Sequence, residues 1–236
     1  LFPVFTSAQQ SGRRAKCLSQ LKQLVAANLS YADDNAGHFV PAASDMYGSL
    51  SGTANLHRWH GTRANAGVPF EPSKGPLWVY LGRSGGLKIC PLMPKRGSYE
   101  AGCGGYGYNA VYVGGTNYRN YPPECAWQTS TIGDLARPTR TIMFADAAVA
   151  DSTEGPGQYS FVEPPFFVFA DGPSYPATPS IHFRHNGMAS VGWCDGHVSC
   201  EKMSHTQPAP NIYGCDNAAY SIGWFGPNDN SLFDNK

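Results

Sequence analysis

Charge is scarce in this chain. Only 14% of its 236 residues are Asp, Glu, Lys or Arg, and they cancel to a net charge of zero. A nucleic acid or an anionic membrane surface selects for a basic surplus, through counterion release or surface attraction, so neither is an expected partner. Long apolar runs are missing too; none approaches the roughly 20 residues that span a bilayer. No Cys-x-x-Cys occurs, which removes the zinc ribbon and the thioredoxin-type pair. His-Glu-x-x-His and Gly-x-Ser-x-Gly are absent as well, and with them the signatures of a metalloprotease and a serine hydrolase. The glycine-rich stretch from Gly102 to Gly107 follows no clear strand and opens no helix, so it is not expected to cradle a phosphate. No catalytic residue is expected.

The abundant residues are glycine (27), proline (19) and tyrosine (13), the profile of a loop-rich exported domain rather than a helical cytosolic enzyme. The length suits one domain with a sizeable core. Cysteines stand at 17, 90, 103, 125, 194, 200 and 215. That spread favours disulfides and an oxidising compartment. The count is odd, so one thiol is left over, and Cys17, on a helix far from the others in sequence, is the candidate. Cys90 with Cys103 would close a short glycine-rich loop at modest entropic cost and is the expected bridge.

The pattern predicts a helix over residues 4–35. Leu18, Leu21, Val25 and Leu29, with Leu24 and Ala32 beside them, form a 3.6-residue stripe. Asp33 to Gly37 is a stop signal, with Gly37 suited to a left-handed cap. Leu1 to Phe5 is apolar all round, unlike the solvated start of a helix, and reads as the end of a longer hydrophobic helix. A chain that starts at Leu1 rather than Met reads as a fragment or a processed product. Residues 39–77 and 97–123, the second around Tyr106 to Asn109, are expected to be loops with little regular structure. Thr141 to Asp146 is a buried strand. Met188 to Trp193 and His197 to Lys202 flank Asp195-Gly196, a hairpin signal. A two-residue loop there would put Cys194 and Cys200 on opposite faces; a three-residue loop would leave them diagonal. After Met203 the chain reads as irregular. The order of elements predicts an α+β fold with antiparallel strands and long loops.

The run Arg13-Arg14-Ala15-Lys16-Cys17-Leu18-Ser19-Gln20-Leu21-Lys22-Gln23-Leu24 resembles the segment that follows the hydrophobic half of the N-terminal helix in bacterial prepilin-like proteins. Tyr31 to Gly37 and Leu1 to Phe5 fit the same pattern. Cys90-Pro91, Tyr106 to Asn109, the strand ending in Asp146, and His185-x9-Asp195-Gly196 complete the likeness to the prepilin-type H-x9-DG family. The resemblance implies a type IV pilin or type II secretion pseudopilin fold, with residues 1–36 as the C-terminal half of an assembly helix and residues 38–236 as a globular head. It further implies an exported, non-enzymatic subunit, periplasmic or at the cell surface. Such a subunit is held in the inner membrane by a segment upstream of Leu1, trimmed by a prepilin peptidase, and assembled with other pilin-like subunits into a helical filament. A rival reading is a soluble extracellular module that stacks glycans on Trp59, Trp78, Trp127, Trp193 or Trp224.

Three roles compete for the motif residues His185, Asp195 and Gly196. In the preferred one, His185 and Asp195 meet and lock the hairpin turn. In the second, Asp146, Asp195 and loop carbonyls hold Ca2+, as related major pseudopilins do in a C-terminal loop, with Asp229 and Asp234 as other oxygen ligands. In the third, His182, His185, Asp195 and His197 hold a hydrolytic zinc. Residues three apart on a strand face opposite sides, however, so His182 and His185 are poor co-ligands.

Overall fold

A computed structural model describes residues 2–45, 55–82, 86–94, 100–115, 129–151, 155–168 and 174–234. Cys125 and Trp127 lie outside the described residues. The first element is a long helix, α1, Phe2–Asp34. Its described side chains divide sharply. From Gln9 to Lys16 none is buried, and Arg14 alone is half-covered, with its Nη1 3.5 Å from Met188 Sδ. From Cys17 onward the stripe Cys17, Leu21, Leu24, Val25 and Ala32 is fully buried. The helix stops where its sequence says it should. Ala36 and Gly37 take positive φ, and Gly37 N donates to Ala32 O at 2.8 Å, which satisfies that carbonyl of the last turn.

The stripe packs on a four-stranded antiparallel sheet made of β1 (Tyr106–Tyr108), β2 (Ile142–Asp146), β3 (Met188–Trp193) and β4 (Val198–Lys202), in the order β4-β3-β2-β1. Contact is mainly with β3, and less with β2 and β4. Gly192 is the point of closest approach: a Cβ there would sit 2.5 Å from Val25 Cγ2. The fold is therefore α+β, one N-terminal helix on an antiparallel sheet. The other face of the sheet is covered by the C-terminal segment, where Phe225 and Phe233 join Ala145, Ala189 and Val191 in a second apolar cluster.

Two regions expected to be irregular take part in this frame. β1 lies within the stretch read as a glycine–tyrosine loop. Tyr106 and Tyr108 share one face, and both hydroxyls reach α1: Tyr106 Oη donates to Gln20 Oε1 at 2.6 Å, and Asn28 Nδ2 donates to Tyr108 Oη at 3.2 Å. Gly107 faces the opposite way, where a Cβ would lie 2.5 Å from Phe161 O, so the central glycine is a packing requirement. The segment after Met203 is likewise pinned. Ile222–Gly223 pairs with Ile181–His182, Ile142 N donates to Leu232 O at 2.8 Å, and Asn109 Nδ2 donates to Phe233 O at 2.8 Å.

The β3–β4 hairpin closes with a three-residue loop, Cys194-Asp195-Gly196. Gly192 pairs with Val198, Trp193 N donates to His197 O at 3.0 Å, and Gly196 has φ +98°. Aspartate and glycine thus occupy the last two loop positions, with glycine in the left-handed one.

Candidate functional site

β2 delivers Asp146 to the end of the sheet, where it is fully buried. Just before β3 the chain makes a tight turn at Asn186-Gly187, with φ of 56° and 74° and reciprocal bonds between His185 and Met188. Positive φ at both central residues is the type I′ geometry that Asn-Gly favours. This turn presents Arg184 and His185 to Asp146. Arg184 Nη2 donates to Asp146 Oδ1 at 2.6 Å and to Gly105 O at 2.6 Å. The second carboxylate oxygen accepts Ser190 N at 2.7 Å and faces His185 Nε2 at 3.2 Å.

Two sulfurs complete the cluster. Cys90, held by a bond from its N to Gly104 O at 2.9 Å, places Sγ 3.3 Å from Arg184 Nε and 3.6 Å from His185 Nε2. Cys17, the first buried side chain of α1 among the described residues, brings its Sγ to 2.7 Å from Cys90 Sγ. Five residues from four separate parts of the chain therefore share one site: Cys17, Cys90, Asp146, and the neighbours Arg184 and His185.

The electrostatics are those of a compact ion cluster. Burial pushes the Asp146 carboxyl up, but Arg184 and then His185 more than offset this and hold it below its ordinary value. Burial lowers His185, yet its bonds to Asp146 and Cys90 outweigh that and hold it at about 9. Cys90 is held below the ordinary thiol value, first by the hydrogen bond from Cys17 and, against burial, by His185 and Arg184. Cys17, which donates, is raised. The shifts thus run in the direction that favours cationic Arg184 and His185 and anionic Asp146 and Cys90.

These shifts make a testable pH signature. His185, with its folded value raised, contributes stability that is complete below its ordinary 6.5 and is lost as pH rises through about 9. Cys90, with its folded value depressed below 9.0, contributes in the opposite sense, and its share grows as pH rises towards that value. In the dithiol protein the two slopes oppose each other between these limits. Cys90→Ser removes one of them. The variant is therefore expected to lose stability relative to the wild type as pH rises through this window, measured as urea midpoints of both proteins under reductant. Parallel pH profiles would show that Cys90 is not held as a thiolate here.

The expected site residues fare differently. His185 and Asp195 do not meet. The x9 spacing spans the Asn186-Gly187 turn, the six residues of β3, and the first residue of the next loop. The two side chains thus lie near opposite ends of a strand, roughly 20 Å apart at about 3.3 Å per residue. Asp195 instead accepts His197 Nδ1 at 2.6 Å and His197 N at 3.1 Å, bonds that organise its own turn. The same separation stops Asp146 and Asp195 from sharing a calcium ion, and both Asp146 oxygens are already engaged. Asp229 Oδ1 accepts Ser231 N at 2.8 Å, and Asp234 lies 3.9 Å from Arg137. For zinc, His197 sits with Asp195 at the far turn, and His182 Nδ1 faces Arg184 Nη1 at 3.3 Å.

Cysteine pairing also differs from expectation. Cys103 Sγ lies 3.7 Å from Gln158 Oε1, while Cys90 turns away from it towards α1 and meets Cys17, the residue read as left over. The six described cysteines are all thiols in this structure, including Cys194 and Cys200. Among the described residues, the group of three with metal-ligand spacing is Cys17, Cys90 and His185, within 4.8 Å of one another. It is a poor cation site, because Arg184 abuts the Cys90 sulfur and His185 Nε2 is engaged by Asp146. Arg184 was not anticipated from sequence. The Asn186-Gly187 dipeptide was the local signal that could have separated His185 from Asp195.

The tryptophans are mostly packed. Trp59 is fully buried with Nε1 donating to Ser160 O at 2.7 Å, Trp193 stacks on His197, and Trp224 Nε1 donates to Glu163 O at 2.8 Å. A cleft of about 220 Å³ is lined by Tyr159, Glu163, Phe167 and Tyr213. Burial raises the Glu163 carboxyl to about 7, and Tyr159 Oη donates to it at 2.7 Å. No protein-family model, no curated protein and no solved structure matches this chain.

Proposed function

We propose that this protein is a non-enzymatic pilin- or pseudopilin-like subunit of an extracellular or periplasmic filament, or of a type II secretion-like apparatus. The observation that carries the reading is the division of α1. Its C-terminal half is cemented to the sheet from Cys17 to Ala32, while Gln9 to Lys16 offers no buried side chain. A 33-residue helix is about 50 Å long at 1.5 Å per residue, and the side chains it buries among the described residues begin only at Cys17. Packing on the head gives the Gln9–Lys16 stretch little stability beyond the Arg14 contact, and packing among other copies of the chain would supply a reason for its length. The reactive side chains are consistent with a structural role: Cys17, Cys90 and His185 are 0%, 1% and 3% exposed, closed to a substrate.

In this reading the free half of α1 packs among neighbouring subunits, and an apolar segment ahead of Leu1 anchors the subunit in the inner membrane before assembly. Among the described residues, no helix is long and apolar enough to cross a membrane. The test is the sequence preceding Leu1, read from the gene and from the intact mass of native protein. A short basic leader followed by an apolar run that continues α1 is expected. An ordinary cleavable signal peptide, or a polar lead-in, would sink the filament reading.

The cleft between Tyr159 and Tyr213 favours a second reading, a glycan-binding module. It requires saturable binding of a soluble oligosaccharide that is lost in Tyr213→Ala, and titration calorimetry against a panel of cell-wall and plant sugars decides it.

A further inference from the structure

The contact between Cys17 and Cys90 belongs to neither reading of function. The two sulfurs are 2.7 Å apart and fully enclosed. Two thiolates on one tetrahedral zinc, each about 2.3 Å from the metal, would stand roughly 3.7 Å apart, so the spacing is too short for shared metal ligation. The charge is also wrong for a cation, since Arg184 Nε lies 3.3 Å from the Cys90 sulfur. Catalysis by Cys90 is not served by the arrangement either, because the thiol faces a second thiol and not a cavity. What the geometry does serve is the joining of the two sulfurs.

We propose that Cys17 and Cys90 are a disulfide-forming pair that staples the assembly helix to the head, with Arg184 and His185 holding Cys90 as the attacking thiolate. The oxidant is a disulfide, either a small one such as oxidised glutathione or that of a thiol–disulfide oxidoreductase. Cys90 thiolate attacks one sulfur of the oxidant, a mixed disulfide forms, and one thiolate leaves. Cys17 then attacks the Cys90 sulfur and expels the second half of the oxidant, and the Cys17 proton passes to a leaving thiolate. Two protein thiols are oxidised and one external disulfide is reduced to two thiols. A flanking guanidinium and imidazolium favour the first attack by stabilising the thiolate. Cys17 is carried in by α1 and covers Cys90, so the first attack precedes the docking of the helix.

The position gives the staple a purpose. Cys17 is the first buried side chain after the stretch Gln9 to Lys16, close to the point at which a pull on that stretch would begin to peel the helix from the sheet. The bond closes a loop across a sequence separation of 73 residues, long enough to restrict the unfolded chain substantially. The mechanical role rests on the filament reading. The bond itself does not, and it is tested without it.

The full chain is purified under reductant, equilibrated with glutathione buffers from fully reduced to fully oxidised, quenched by alkylation, and digested for mass spectrometry. A Cys17–Cys90 linked peptide is expected to accumulate, with Cys103 alkylated throughout. The melting temperature of the oxidised protein is expected to exceed that of the reduced one by about 10 °C. That difference should vanish equally in Cys17→Ser, Cys90→Ser and the double variant, and persist in Cys103→Ser. Because the peptide map uses the wild type, it decides the matter even where a variant fails to fold. A Cys90–Cys103 link, a link to Cys125, a glutathione adduct that never resolves, or two thiols that stay alkylatable at every ratio would each overturn the proposal. So would one equivalent of zinc lost from the reduced protein together with its fold on chelation.

Discussion

Asp146→Ala is expected to destabilise the protein by about 3–5 kcal/mol, the range for removing one partner of a buried ion pair. The Asp146 and Arg184 side chains are 0% and 3% exposed, so the guanidinium would be left in the interior with the Gly105 and Ala147 carbonyls and the Cys90 sulfur as its nearest acceptors. Ser190 N loses its acceptor at the same time. Asp195→Ala is the control. Its partner His197 is 46% exposed, and its loss is expected to cost only about 0–1 kcal/mol. Urea denaturation of the two variants therefore ranks the aspartates opposite to the prominence of Asp195 in the sequence motif. Equal losses would mean that Arg184 finds solvent and that the cluster is not a stability element.

Gly192→Ala is expected to destabilise by about 2 kcal/mol, within the usual range for overpacking. The added Cβ meets Val25 Cγ2 at 2.5 Å and Leu21 Cγ at 3.4 Å, and neither belongs to a flexible side chain end that can swing clear of the interface. The decisive form is a double-mutant cycle. Val25→Ala alone leaves a cavity and also destabilises. Combined with Gly192→Ala it removes the methyl that the new Cβ strikes, so the double variant is expected to be more stable than the sum of the singles by about 1 kcal/mol or more. Strict additivity would mean that α1 does not sit on β3 at this spacing.

The parts of this architecture that could be read from sequence are those with a local signal. The stripe from Leu21 to Ala32 has its own period, Gly37 marks its own stop, and the apolar strand ending in Asp146 is a compact run. β1 was missed because Tyr106-Gly107-Tyr108 is three residues with a glycine at the centre, and its strand character comes from the tyrosine bonds to Gln20 and Asn28 on a distant helix. The buried cluster had no local signal at all. Its contacts join residues separated by 38, 95 and 73 positions, so apart from the neighbours Arg184 and His185 no short window of sequence contains two of the partners. His185 was singled out for its distance from Asp195. The period of a strand, applied to the segment between Asn186-Gly187 and Asp195-Gly196, would have shown that the x9 spacing measures a strand and not a contact.

Asp146, Arg184, His185 and Cys90 thus form the socket into which α1 inserts Cys17, and the same helix leaves Gln9 to Lys16 without a buried side chain. The central claim is that this stretch belongs to an assembly surface. The most direct measurement is electron microscopy of material sheared from cells that express the complete gene, labelled with an antibody against the head. The account predicts filaments decorated along their length, and their loss in a variant carrying charge reversals at Arg13 and Lys16 whose purified head melts like the wild type. Monomeric protein in the medium, with no labelled filaments and no effect of those substitutions, would contradict it.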